Sequence, residues 1–185
     1  MHFASHICYP PRDVRERLKS KLRSLCPVSI SLEMLGDRWS LLIVRDLMVR
    51  GYRTFGEFQR SGEGIATNIL TDRLRRLEAA GIVSTEPDEA DHRRMNYRLT
   101  AKGIDLAPVL LELLIWGARH EKTAAPAAVI DGMEKNRDEV LAEVRRRWQE
   151  RDPTPLLPPF PARPARRRQR AANGAERAAK GERAK

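Results

Sequence analysis

The stretch GIATNILTDRLRRLEAAGIV, residues 64–83, carries the side chains best suited to chemistry with another molecule. Leu70, Leu74 and Leu77 recur at i, i+4 and i+7, so one stripe of a helix is apolar, while Asn68, Asp72, Arg75 and Arg76 fall near the opposite side. A guanidinium fork and a carboxamide can each form paired hydrogen bonds with a planar partner, and arginine also pairs with anionic oxygens. Taken alone, such a face is what any surface helix shows to solvent, so its meaning depends on the elements around it.

Other reactive groups are sparse. His2, His6, His92 and His120 are scattered, no HExxH, GxSxG or phosphate-loop pattern occurs, and the acids lie mostly on solvated helix faces, so catalysis is not expected. His2, His6 and Cys8 sit near one another without the paired spacing of a structural zinc site, and neither metal nor cofactor is expected. Cys26 stands directly before Pro27, with Lys21 and Arg23 close enough in sequence to favour a thiolate. It is a candidate oxidant or electrophile sensor, weighed against the commoner case of an inert thiol.

The net charge is +10 and aromatic residues make up 5% of the 185, which asks for an anionic partner or a solvated basic segment. The segment is there: residues 151–185 hold ten Lys/Arg against three acids, a surplus of seven, leaving only three of the ten charges for the body. Within it PTPLLPPFPARPARRRQR has closely spaced prolines, and nothing aliphatic larger than alanine follows, so a disordered Pro/Arg-rich tail is expected. The high charge therefore says little about the folded surface. The opening MHFASHICYPPRDVRERLKSKL has no continuous apolar core of a signal peptide, and no run of 18 apolar residues occurs anywhere. A cytoplasmic, nucleoid-associated protein with reduced thiols and no membrane span is expected.

The elements that must hold the polar face can be read from its flanks. Residues 1–25 form an extension in which Val14, Leu18, Leu22 and Leu25 allow an amphipathic helix after Pro10 and Pro11. Ile30, Met34 and Leu35 predict a short helix ending at Gly36, and Trp39, Leu42, Ile43 and Leu47 a second, with Asp37 as its cap and Gly51 beyond its end. Thr54-Phe55-Gly56-Glu57 has the capping-box pattern and announces a third, ending near Arg60. The helix of the polar face should run over 66–80, stopped by Gly81. Then the period changes to two: Ile82, Val83 and Thr85 predict one strand, Met95, Tyr97 and Leu99 another, joined by PDEADHRR. Helix, short helix, helix and antiparallel ribbon make a mainly α, α+β architecture, a winged helix-turn-helix.

From Thr100 onward Leu106, Val109, Leu110, Leu113, Leu114 and Trp116 follow helical spacing, with Leu111 and Ile115 adding apolar surface on other sides. A helix apolar on more than one side needs more than one neighbour, and a second subunit is the expected partner for those six residues. Met133, Val140, Leu141, Val144 and Trp148 predict one more amphipathic helix within 121–150 that could extend the interface.

These residues resemble the HxlR-type regulators, bacterial winged-helix transcription factors related to the MarR group. The likeness rests on Cys26-Pro27, Gly36-Asp37-Arg38-Trp39, Gly64-Ile65 through Leu70-Thr71, Leu74-Arg75-Arg76-Leu77-Glu78, Gly81-Ile82-Val83, Tyr97-Arg98-Leu99-Thr100 with Gly103, and Trp116-Gly117. It spans residues 26–120; the extension, the 121–150 helix and the tail lie outside it. It implies a homodimeric transcriptional regulator, a repressor or an activator with repression favoured, binding double-stranded DNA at an inverted-repeat operator under a small-molecule or oxidant effector. Residues 66–80 would be the recognition helix in the major groove, with Thr67, Asn68, Thr71, Asp72 and Arg75 facing the bases and Arg73 and Arg76 on phosphate. Residues 84–98 would form the wing, Arg93 and Arg94 touching backbone or minor groove beside the opposing charges of Asp88, Glu89 and Asp91. Where the family usually has serine this chain has Ala66, which removes a helix cap and one hydroxyl contact to phosphate. Two other readings stand beside this one: a thiol-based sensor using Cys26, and a non-specific nucleic-acid binder driven by the basic tail.

Overall fold

A computed structural model describes residues 24–88 and 91–157. The extension through Arg23, with Cys8 and the two cations expected to favour the Cys26 thiolate, lies outside the described residues, as do Glu89 and the tail from Pro158 onward.

Helix α1 spans Pro27–Leu35, with Cys26 at its cap position and proline in its first turn, where a missing N–H costs nothing. Helix α2 spans Ser40–Val49. Its start differs slightly from the expectation: the cap position belongs to Trp39, yet the Asp37 carboxylate accepts the Trp39 and Ser40 N–H groups at 2.8 and 3.0 Å, so aspartate caps from two residues further back. Helix α3, Phe55–Gln59, carries the complete capping box: Thr54 Oγ1 accepts from the Glu57 N–H, and the Glu57 carboxylate accepts from the Thr54 N–H.

Helix α4, Thr67–Ala79, buries Leu70, Leu74 and Leu77 against Ile43, Val44 and Leu47 of α2 and against Phe58. It ends at Gly81, whose φ of +67° needs no side chain to be tolerated. There the Gly81 N–H reaches the Glu78 carbonyl and the Ile82 N–H the Leu77 carbonyl, both at 2.9 Å, and Leu77 and Ile82 are buried together.

Strands β1, Val83–Pro87, and β2, Met95–Leu99, pair antiparallel with Val83 opposite Leu99 and Pro87 opposite Met95. Val83 and Leu99 lie in the core whereas Met95 is exposed, so the ribbon leaves the body at its tip. The Tyr97 N–H on the other edge of β2 donates to the Arg53 carbonyl at 2.7 Å, which covers that edge with the segment before α3.

The chain then forms a single turn, α5 (Ala101–Ile104), and the longer α6 (Ala107–His120). One expectation narrows here. Leu111 and Ile115, with Ala107, are the residues α6 turns into its own subunit, and Leu106 and Leu110 also pack on the core; Val109, Leu113 and Trp116 are the stripe left outside, 48, 48 and 59% exposed. Helical spacing sets Leu111 and Ile115 apart from the other six, but only packing shows which side faces the body.

The helix expected within 121–150 is two: α7 (Ala127–Lys135) and α8 (Arg137–Glu150), broken at Asn136, whose N–H and carboxamide both return to the Gly132 carbonyl. Helix α8 packs on its own subunit through Val144, Leu141 and Trp148, the indole N–H donating to the Leu99 carbonyl at 2.7 Å, and so does not prolong the free stripe of α6. Residues 151–157, counted with the tail on composition, run back over the body: the Leu156 N–H donates to the Val49 carbonyl at 2.7 Å, and the Pro153 carbonyl lies where a Cβ on Gly51 would sit, 2.1 Å away. Two leucines at 156 and 157 give that stretch apolar area to bury, unlike the chain after Pro161.

Candidate nucleic-acid interface

The polar side of α4 divides into free and engaged residues. Thr67, Asn68 and Arg75 are exposed. The Thr71 hydroxyl donates to the Thr67 carbonyl at 2.9 Å, a local bond that sets its rotamer. Asp72 is held between two arginines, 3.0 Å from Arg76 one turn on and 3.3 Å from Arg73. Arg76 is 65% exposed in its side chain, so this pair is solvated and readily exchanged for another anion. Ala66 occupies the cap position without a side-chain hydrogen bond, which leaves the first-turn N–H groups of α4 pointing outward with their partial positive charge.

Arg73 departs from the expectation of a phosphate contact. Its guanidinium lies inward, 3.2 Å from Asp37 at the start of α2, and its Nε is buried without a hydrogen bond of good geometry. Burial pushes the Asp37 carboxyl up, but the Ser40 hydroxyl, the Trp39 and Ser40 N–H groups and the Arg73 charge outweigh that and hold it below its ordinary value. Arg73 thus ties α4 to the N-terminus of α2.

A second ionic cluster fixes the turn that precedes α4. Asp46 on α2 and Arg50, just past its end, are both buried and lie 3.1 Å apart; Arg45 sits 2.7 Å from Asp46 and 3.0 Å from Glu63; the Arg50 guanidinium donates to the Ser61 carbonyl at 3.3 Å. Residues 61 and 63 belong to the turn that leads into α4, so this cluster anchors the turn to the scaffold. Periodicity gives no hint of it, because its partners are up to 18 residues apart; the sign alternation in Arg45-Asp46 and Arg50 is the only local signal.

The ribbon is docked to α4 by the Thr85 hydroxyl, which donates to Glu78 at 2.7 Å. At its tip Arg93 and Arg94 are exposed, and Arg94 lies 3.3 Å from Asp91. The acids beside them have a constructional use: Asp88 accepts from the Asp91 N–H at 2.9 Å and from the Asn96 carboxamide at 2.8 Å, and Asp91 accepts from the Arg93 N–H. They shape the turn that carries the two arginines.

Cys26 is an exposed free thiol at the first turn of α1; its N–H donates to the Ser24 hydroxyl at 3.1 Å. Among the described residues no group of His, Cys, Asp and Glu is arranged to hold a metal ion, and no helix is long and apolar enough to cross a membrane.

A sequence profile of the HxlR-like helix-turn-helix matches residues 34–125. The chain is 36% identical over 92 residues to YybR of Bacillus subtilis, an uncharacterised HTH-type transcriptional regulator, covering 50% of this chain and 73% of that one. It is 35% identical over 89 residues to the HTH-type transcriptional regulator sll1512 of Synechocystis and 40% identical over 93 residues to Rv3095 of Mycobacterium tuberculosis, likewise uncharacterised. These alignments cover 48 and 50% of this chain but only 65 and 58% of the two relatives. Among solved structures, PA1607, a candidate transcription factor, superposes with a TM-score of 0.52 at 41% identity, over 57% of this chain and 72% of that one.

Proposed function

This chain belongs to the HxlR-like helix-turn-helix family of transcriptional regulators, and on that premise we propose that it is a homodimeric, sequence-specific repressor that reads DNA with α4. The observation that carries the reading is the division of α4: its leucine stripe is fully buried while Thr67, Asn68 and Arg75 stand free on the opposite side. Arg75 pairs with guanine and Asn68 with adenine through two hydrogen bonds each; Thr67 faces the bases beside them and Arg76 contacts the backbone. Arg93 and Arg94 reach the neighbouring phosphates or minor groove from the ribbon. Thr71, its hydroxyl held on the Thr67 carbonyl, and Asp72, which also holds Arg76, face the bases beside them, and Arg73 supports the helix from behind.

The stripe Val109, Leu113 and Trp116 is the dimer contact, with Leu106 and Leu110 beneath it joining that face to the core and Leu114 half-buried beside them. A two-fold pair of reading helices then meets half-sites about one helical turn, roughly 34 Å, apart. Such a protein works at the chromosome in the cytoplasm. The test is site selection from a random-sequence duplex library followed by footprinting: an inverted repeat with protection of both half-sites is the expected result. Recovery of no common sequence would refute the reading and favour non-specific binding through the basic tail. Cys26 supports a second reading, because its thiol is exposed and free to meet an oxidant or electrophile.

A further inference from the structure

Helices α6, α7 and α8, the end of α2 and the returning residues 156 and 157 line a half-open cavity of about 500 Å³. Clefts that take small ligands measure about 300–1,000 Å³. Leu111 and Leu114 of α6, Met133 of α7, Leu141 of α8, Leu156 and the stem of Arg45 are among its walls. Four of the wall residues belong to α7 and α8 and two to the returning segment, all beyond the residues that match the family.

We propose that this cavity binds an uncharged aromatic small molecule and that its occupation weakens DNA binding, an inference that rests on the regulator reading above. The class of ligand follows from the walls. They are aliphatic, alanine and methionine apart from the Thr123 hydroxyl and Arg45, and Arg45 is already shared between Asp46 and Glu63. No uncompensated charge remains to receive a carboxylate or phosphate, and burying one there would be costly. Met48 of α2 and Met133 of α7, both in the lining, offer flexible, polarisable thioethers that suit an aromatic ring.

The route to DNA is equally specific. Arg45 lines the cavity with its stem and grips Glu63, in the turn before α4, with its head. Val49, also in the wall, holds the returning segment through its carbonyl. An occupant that displaces Arg45 therefore loosens the turn that aims the reading helix, and it does so without touching α4.

The experiment uses the full chain, the neutral probe N-phenyl-1-naphthylamine and a duplex site selected by the wild-type protein. Fluorescence titration should saturate at one probe per chain, and saturating probe should weaken binding of the duplex by about fivefold or more, the range of measured site–site couplings. With the methionine methyls isotope-labelled, Met48 and Met133 should shift on titration while Met34 and Met95 stay in place. Ala118→Trp, which fills the cavity, should bind probe about tenfold or more weakly, since overpacked sites exclude an occupant. Glu63→Gln should keep the probe and lose the coupling. Absence of saturable binding, shifts confined to Met34 or Met95, or an unchanged duplex affinity at saturation would each overturn the proposal. So would a chain ending at Leu157 that binds probe about tenfold more tightly than the full chain, because residues 158–185 would then be the occupant. Failure to bind any duplex would instead strike the regulator reading, and the titration and methyl shifts would still judge the cavity.

Discussion

Arg75 and Arg73 are two positions apart on α4 and should behave in opposite ways when truncated. Arg75 is exposed and, among the described residues, no acid pairs with it; alanine is at least as good a helix former, so Arg75→Ala should leave the thermal transition unchanged. Its cost should fall on DNA. A bidentate arginine–guanine contact is worth about 1–3 kcal/mol of discrimination, so affinity for the selected site should drop by about 5- to 150-fold, with a much smaller loss on random duplex. Arg73→Ala removes the partner of Asp37 from a side chain only 20% exposed. Between the near-zero worth of a solvated pair and the larger worth of a charged hydrogen bond, with a discount for that exposure, stability should fall by about 1 kcal/mol. Both variants are measured by thermal or urea unfolding and by fluorescence anisotropy on specific and random duplexes. The reasoning is refuted if Arg75→Ala unfolds early while keeping its specificity, or if Arg73→Ala is fully stable and loses affinity equally on both duplexes, which would make Arg73 the phosphate contact and its inward geometry irrelevant.

Other consequences are open to direct measurement. Leu113→Glu places a charge in the middle of the free stripe of α6; the single chain should keep its helical spectrum because this side chain is 48% exposed, while sedimentation should give monomer and operator binding should collapse, and a fully dimeric variant would remove α6 from the interface. Burial pushes the Glu57 carboxyl up, but hydrogen bonds from the Arg53 and Thr54 N–H groups and the Thr54 hydroxyl, with the Arg53 charge, more than offset it and hold the group below its ordinary value. A depressed carboxyl stabilises the fold above its unfolded pKa and loses that contribution as pH falls through the folded one, so Glu57→Gln should cost about 1 kcal/mol at neutral pH and the gap to wild type should close below about pH 4; a gap independent of pH would show that charge has no part in the capping box. If Cys26 is a sensor, peroxide or a quinone should release operator DNA from wild type and leave Cys26→Ser bound, and an identical response from both proteins would exclude that thiol.

What the sequence determined by itself is local. The period of Leu70, Leu74 and Leu77, the Thr54–Glu57 capping box, the stop at Gly81 and the change to alternation at Val83 and Met95–Leu99 depend on neighbours within a turn or a strand pair, and each stands in the structure within a residue or so of where the pattern puts it. The polar face of α4 was legible for the same reason. Tertiary structure alone decided which of its side chains stay free. Arg73 and Arg76 have the same chemistry and nearly the same place in the pattern, yet one turns to an aspartate 36 residues away and the other to solvent, because only the packing of α4 on α2 brings Asp37 within reach. Likewise spacing set Leu111 and Ile115 on other sides of α6 from its remaining apolar residues, but only the packing of α2, α7 and α8 covered them, with Ala107, and left Val109, Leu113 and Trp116 bare. Residues 151–157 look like tail by composition and fold as wall, since a pair of leucines joins a core only when the rest of the chain has built a surface for them to cover.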